Sequence, residues 1–298
     1  MKSTRRTFIA RAAGIATASA VMGVSGISAV RAQSKKLLHF GVGPLLPTPE
    51  DTKKAYMPLF THLAKELGVD FDLVATTDWA GMAVAMGSGQ LDLAWMGPWG
   101  YILANNSTGC KAVATVKYDE KPTYQAIVIA RPDLKVAKFP NDTKGMSISF
   151  ADLGSTSGWL IPSYYAKEVW KIDPKAFWKY TEGATHAANE ISVSSGQVDM
   201  ATDFDRNRTA MIESGKVKAD ANKIVWTSAP LPNDAIVLPK EASAAMAKNV
   251  QKILTSITKE QAKELLPNHY TGFIASSHAS YAPIEKAGLA LGKIKKNA

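Results

Sequence analysis

The sequence predicts an α/β fold in which largely parallel sheets are covered by helices. Two observations predict it. Short apolar runs of strand length alternate with segments of helical spacing along most of the chain, and Gly, Pro and Ser turn signals follow the apolar runs. The length adds a third: 298 residues suffice for one large domain or two smaller ones.

The elements follow in order. Leu37 to Val42 reads as a first strand, ending in a loop that carries Pro44, Pro47 and Pro49. Residues 50–67 place Tyr56, Leu59, Phe60, Leu63, Ala64 and Leu67 on one helical face. Phe71 to Ala75 is a second strand, and residues 79–89 form a short helix ending at Gly87 or Gly89. Leu91 to Met96 is a third strand, after which Pro98 opens a helix in its first turn. Lys111–Val116 and Tyr124–Ala130 are further strands. A second unit then begins with strand Met146–Phe150, a Gly-bounded loop at 154–158 and a helix over 159–170. Glu190–Ser195 reads as helical; Val198–Ala201, Lys223–Trp226 and Ala235–Leu238 read as strands. The last 55 or so residues read as mainly helical.

The N-terminus reads differently. Arg5-Arg6-Thr7-Phe8-Ile9, then a small-residue apolar stretch from about Ala12 to Val30, has the pattern of a twin-arginine export signal with cleavage after Ala32. The alternative is an uncleaved anchor, against which stand its small side chains and Gly14, Gly23 and Gly26. Five of the 35 basic residues and none of the 26 acidic ones lie in residues 1–32. The mature chain therefore carries 30 against 26, a net charge of +4 rather than +9. That suits a small anionic ligand and argues against nucleic acid, which calls for a clustered basic stripe. One cysteine, Cys110, excludes an internal disulfide, so the core alone must hold the exported protein together.

In open α/β sheets ligands bind beyond the carboxyl ends of the strands. Gly154-Ser155-Thr156-Ser157-Gly158 lies at such an end, and a helix start there offers free N–H groups and a partial positive charge. Three hydroxyls added to it make an anion cradle that needs no lysine. The alternative is ordinary N-capping by a serine. The loop lacks the Gly-Lys-Ser/Thr ending of a phosphate-binding NTPase loop, and Thr156 stands where a nucleophile elbow has serine. Trp79 and Trp99 follow strand ends, where cleft walls would sit, while Trp95 alternates with core residues. Asp203, Asp205 and Asp234 are carboxylates after expected strands, and His186 is a lone histidine. No histidine–carboxylate cluster has metal-ligand spacing, no Ser/His/Asp set is indicated, and no cofactor is called for.

Several segments resemble the phosphonate/phosphite/hypophosphite class of periplasmic substrate-binding proteins of ABC transporters, the PhnD-like family. They are Thr77-Asp78-Trp79-Ala80, Leu93 to Tyr101 through Gly97-Pro98-Trp99-Gly100, Asp152 to Pro162, Gly196-Gln197-Val198-Asp199 and Leu231 to Ile236. The resemblance covers nearly the whole mature chain. It implies a type II periplasmic binding protein, two lobes with the ligand cleft between them, and no enzyme activity. It implies anion binding by Ser155, Thr156 and Ser157, the family histidine at His186, its aspartate at Asp234, and cleft aromatics at Trp79 and Tyr124. Asp205 could meet an ammonium group on a ligand, although Asp203-Phe204-Asp205-Arg206 matches the aminoalkylphosphonate binders poorly.

The lobes expected are residues 33–127 with 237–298, and residues 128–236, crossing at 124–131 and 234–240. The reading is a monomeric periplasmic protein that captures a small phosphorus oxyanion and hands it to a membrane permease. A second reading follows a related branch, arsenite sensors that use one cysteine. Cys110 would then ligate arsenite and the partner would be a sensor histidine kinase. A third is a secreted hydrolase built on Ser155.

Overall fold

The structure, a computed structural model, describes residues 36–296; the expected export signal lies outside the described residues. The chain opens with β1 (Leu37–Val42), β2 (Asp70–Ala75), β3 (Leu93–Met96) and β4 (Lys111–Tyr118). It leaves this first lobe through β5 (Thr123–Tyr124) and builds the second from β6 (Ala126–Ala130), β7 (Ser147–Ala151), β8 (Lys179–Ala184), β9 (Met200–Phe204) and β10 (Lys223–Thr227). It returns through β11 (Leu231–Pro232) to β12 (Ala235–Leu238) and β13 (Tyr270–Ala275).

The first sheet runs β13-β4-β12-β3-β1-β2, the second β10-β6-β9-β7-β8, and β5 pairs with β11 in a two-stranded ribbon between them. The chain crosses at this ribbon, which meets the expected crossing segment 124–131 only at Tyr124 and precedes 234–240: β6 lies wholly in the second sheet and β12 wholly in the first. The sheets are mixed rather than largely parallel. β2, β1 and β3 are parallel to one another, as are β8, β7 and β9, whereas β12, β13, β6 and β10 pair antiparallel with their neighbours. Parallel pairs come from helical crossovers within a lobe. The antiparallel ones arise where the chain leaves a lobe or re-enters it.

Local chemistry fixes the elements. Helix Pro49–Leu67 starts with Thr48 accepting the Asp51 N–H and with Pro49 in the first turn. It ends at Gly68, whose φ of 68° is the left-handed cap that glycine adopts without strain. Its apolar face, Tyr56, Leu59, Phe60 and Leu63, packs on Phe40, Val42 and Trp95 of the first sheet. In the second lobe the expected helix starts three residues early. A wide π turn, Thr156–Leu160, leads into Ile161–Tyr164, and a second π turn spans Tyr165–Val169. Pro162 has no N–H for the Gly158 carbonyl one turn back, and the Thr202 hydroxyl donates to that carbonyl instead, at 2.6 Å.

Three of the elements that were not legible show why. β8 is a mostly exposed edge strand, Lys-Tyr-Thr-Glu-Gly-Ala, with no apolar alternation. β13 lies in the stretch expected to be helical; it is also an edge strand, with a register shift before Gly272. Helix Asp205–Glu213 buries only Arg206 and Met211 among charged neighbours, so it carries no apolar stripe.

Candidate functional site

Both sheets send the ends of their strands to one cavity of about 20 Å³. Trp79 and Gly97 of the first lobe, Asp234 and Tyr124 at the crossing, and Ser155, Thr156, Ser157, His186 and Arg206 of the second line it. A wider vestibule of about 430 Å³ adjoins it, sharing Leu45, Trp79, His186 and Phe204 and bounded by the proline-rich loop after β1.

The cradle comes from β7 and the turn after it. Asp152 Oδ1 accepts the Gly154 N–H at 2.9 Å and Ser155 Oγ accepts the Gly158 N–H at 3.0 Å, which fixes the turn. Gly158 must be glycine: a Cβ there would stand 2.3 Å from the Ala151 Cβ and 2.8 Å from His186 Cε1. Ser155, Thr156 and Ser157 are all buried, and the Tyr124 hydroxyl lies beside Thr156 and Ser157.

Behind the cradle runs a buried polar chain. Ser155 Oγ lies 2.9 Å from His186 Nε2, and His186 Nδ1 lies 2.9 Å from Asp203 Oδ1. That second approach is out of line for a hydrogen bond, and Nδ1 is otherwise without a partner. Burial pushes His186 down to about 4, so the ring is neutral at ordinary pH. Asp203 is raised by burial, and Glu190 beyond it is pushed up to about 9 by burial and then by Asp203. Asp203 is thus not a loop residue after its strand; it is a fully buried member of β9.

This is a Ser/His/Asp arrangement that the sequence did not indicate, because its members are 31 and 17 residues apart. It lacks the features of a nucleophilic triad. Ser155 Oγ is engaged as a helix cap, and the imidazole is not properly oriented by Asp203.

Asp234 sits opposite the cradle. Its Oδ2 accepts the Trp95 Nε1–H at 2.9 Å, so Trp95 is both core and the group that orients this carboxylate. Burial raises the Asp234 pKa, and Arg206 foremost opposes that shift. Trp79 forms a wall because two glycines let its ring lie on bare backbone: a Cβ on Gly43 would be 2.1 Å from the ring, and one on Gly97 3.2 Å.

Two expected residues lie elsewhere. The Trp99 ring packs against Gly288 and does not line the cavity; its backbone N–H donates to Thr156 Oγ1 at 2.8 Å, and its Nε1 to the Leu153 carbonyl at 3.1 Å. Trp99 therefore ties the first lobe to the second. Asp205 starts its helix, accepts the Arg206 N–H at 2.9 Å and lines neither cavity nor vestibule. The neighbouring Arg206 does, and sequence reasoning missed it. The only signal was its place beside the acidic pair after β9. Cys110 is buried at the head of β4, lines neither space, and has its thiol pushed up to about 12 by burial.

The model of the family described as "ABC transporter, phosphonate, periplasmic substrate-binding protein" matches residues 45–281, which include every residue lining the cavity. The chain belongs to this family. The phosphonates-binding periplasmic protein of Escherichia coli (strain K12) is 28% identical over 264 residues, covering 86% of this chain and 77% of its own length. The phosphate-import protein PhnD of Mycolicibacterium smegmatis is 31% identical over 189 residues, 60% of this chain and 59% of its own. A binding-protein component of an ABC phosphonate transporter from Pseudomonas aeruginosa superposes with a TM-score of 0.77 at 24% identity, over 86% of each chain. PhnD1 of Prochlorococcus marinus, solved with methylphosphonate, gives 0.76 at 19% identity, over 87% of this chain and 99% of its own. At such identities the structural likeness establishes the shared fold, that of type II periplasmic binding proteins. As a member of the phosphonate family the protein is a periplasmic substrate-binding component of an ABC transporter, with a small ligand and permease partners, and is not an enzyme.

Proposed function

We propose that the cleft captures a small phosphorus oxyanion, namely phosphite, hypophosphite or a phosphonate with a minimal substituent, for an ABC importer. The observation that carries this is the Ser155–Thr156–Ser157 cradle at a helix start, opening into a cavity of only about 20 Å³. Hydroxyls and free N–H groups at that start hold anionic oxygens without a lysine. The Trp79 face suits a P–H or P–CH₃ group, which makes no strong hydrogen bond. Asp234 is an acceptor, so it pairs with a protonated ligand oxygen and repels a bare one. Asp234→Asn should therefore alter the preference between phosphite and phosphate, and an unchanged ratio would count against this role.

The reading includes twin-arginine export, a monomer, and lobes that open at the β5/β11 ribbon to admit ligand. The test is thermal unfolding of residues 33–298 against phosphite, hypophosphite, methylphosphonate, phosphate, arsenate and arsenite. A ligand at a hundred times its dissociation constant adds about 2.7 kcal/mol. Stabilisation by a reduced phosphorus anion or methylphosphonate, retained in Cys110→Ser, is the expected result. Stabilisation by arsenite alone, lost in Cys110→Ser, would replace this reading with the sensor one.

A further inference from the structure

Arg206 is 6% exposed, and its Nε and Nη1 are buried without a hydrogen-bond partner. Its guanidinium is boxed by aromatic rings from both lobes: Tyr124 at 4.8 Å, Tyr118 at 5.1 Å, Phe204 at 5.7 Å and Tyr270 at 5.8 Å. Ring faces attract a cation but offer its N–H groups no acceptor. Asp234 acts on it with the opposite charge, yet the two form no direct salt bridge, and Asp234 Oδ2 accepts from Trp95 instead. The cavity lies among Arg206, Asp234 and the hydroxyl cradle. A buried guanidinium with bare N–H groups on the wall of such a cavity lacks only an acceptor from the ligand.

We infer that Arg206 selects the charge class of the ligand, accepting anions with an uncharged remainder and rejecting phosphonates that carry an ammonium. This rests on the phosphorus-oxyanion reading above and deepens it. An ammonium in this water-poor space would face a fixed positive charge a few ångströms away, held in place by four rings. The neighbouring Asp205 offsets it only in part: its carboxylate turns back to accept the Arg206 backbone N–H at its own helix start and makes no side-chain bond to the guanidinium.

The test is calorimetric titration of residues 33–298 and of the Arg206→Gln and Arg206→Lys variants, with melting curves to verify folding. The ligands are phosphite and the near-isosteric pair ethylphosphonate and aminomethylphosphonate. Wild type should bind phosphite, and should bind ethylphosphonate about tenfold or more tightly than aminomethylphosphonate. Arg206→Gln should weaken phosphite about tenfold or more and narrow the gap within the pair. Arg206→Lys should lose affinity through the lost fork yet keep the preference, which supports the charge argument even if Arg206→Gln fails to fold. Phosphite affinity unchanged in Arg206→Gln overturns the inference and leaves the parent reading standing. Exclusion of both members of the pair by wild type makes size the discriminator and also overturns it. No phosphorus anion binding to wild type ends both together.

Discussion

Glu190 shows how much of this site is decided by single protons. It is fully buried, its Oε2 accepts from Asn222 Nδ2 at 2.6 Å, and it stands behind the Asp203 carboxyl. Its pKa is raised from 4.5 to about 9, so the folded chain keeps a proton that the unfolded chain releases. The stability this contributes is full below about pH 4.5 and is lost as pH rises through about 9. His186, lowered from 6.5 to about 4, acts in the opposite direction and only below its ordinary value. Between about pH 7 and about pH 9 the melting temperature of the wild type should therefore fall, with one proton setting a limit of about 1.4 kcal/mol per pH unit. Glu190→Gln keeps the shape and the Asn222 bond and should flatten that slope; parallel slopes for the two proteins would show that Glu190 is ionised throughout. At this scale Ser155, His186 and Asp234 were legible because each sits in a recognisable motif. Arg206 was not, since a charged residue in a polar helix says nothing about where its guanidinium points.

Two glycines separate the work of the elements. Gly158 serves the cradle inside the second lobe, whereas Gly154 serves the seam between lobes: a Cβ there would stand 2.3 Å from the Ala80 N and 2.6 Å from the Trp79 carbonyl carbon. Those are backbone atoms of the helix Trp79–Gly87 start, which cannot yield as a flexible side chain would. Gly154→Ala should wedge the lobes apart, weakening ligand affinity about tenfold or more while leaving the melting temperature of the ligand-free protein nearly unchanged. Gly158→Ala should instead lower ligand-free stability by about 1–3 kcal/mol, because Ala151 and His186 are packed within one lobe. Titration calorimetry beside melting curves distinguishes the two. Equal loss of stability in both variants would mean that the seam does not open. The Gly154–Gly158 pattern was visible in sequence; which glycine faces the other lobe was not.

For the molecule as a whole, the seam is held by a few polar contacts beside the narrow ribbon. Trp99 donates twice across it, to Thr156 and Leu153. At the ribbon, Asn233 donates its backbone N–H to the Pro122 carbonyl at 2.8 Å and its side-chain amide to Val116 and Lys121, each at 3.2 Å. On the proposed reading, ligand enters as the lobes part about β5 and β11, and a ligand that bridges the cradle and Asp234 shifts the population toward the closed form. Small-angle scattering should show a smaller radius of gyration on saturation with ligand for the wild type and no such change for Gly154→Ala. An identical radius with and without ligand in the wild type would rule out a closing motion.

The α/β class, the first strand, the long helix after it and the hydroxyl cradle were determined by the sequence itself, because each depends on neighbours close in the chain. Leu37–Val42 and Ala235–Leu238 are apolar runs that end at turn residues, and the cradle is five consecutive residues at a helix start. The mixed sheets, the edge strands β8 and β13, the turn of Arg206 into the cavity and that of Trp99 and Asp205 away from it were decided only by tertiary structure. The physical reason is common to them. An edge strand or a surface-like helix need not carry an apolar pattern, and the direction of a charged or aromatic side chain is set by partners far away in sequence. Arg206 points into the cavity because Tyr118, Tyr124 and Tyr270, from three different strands, meet there.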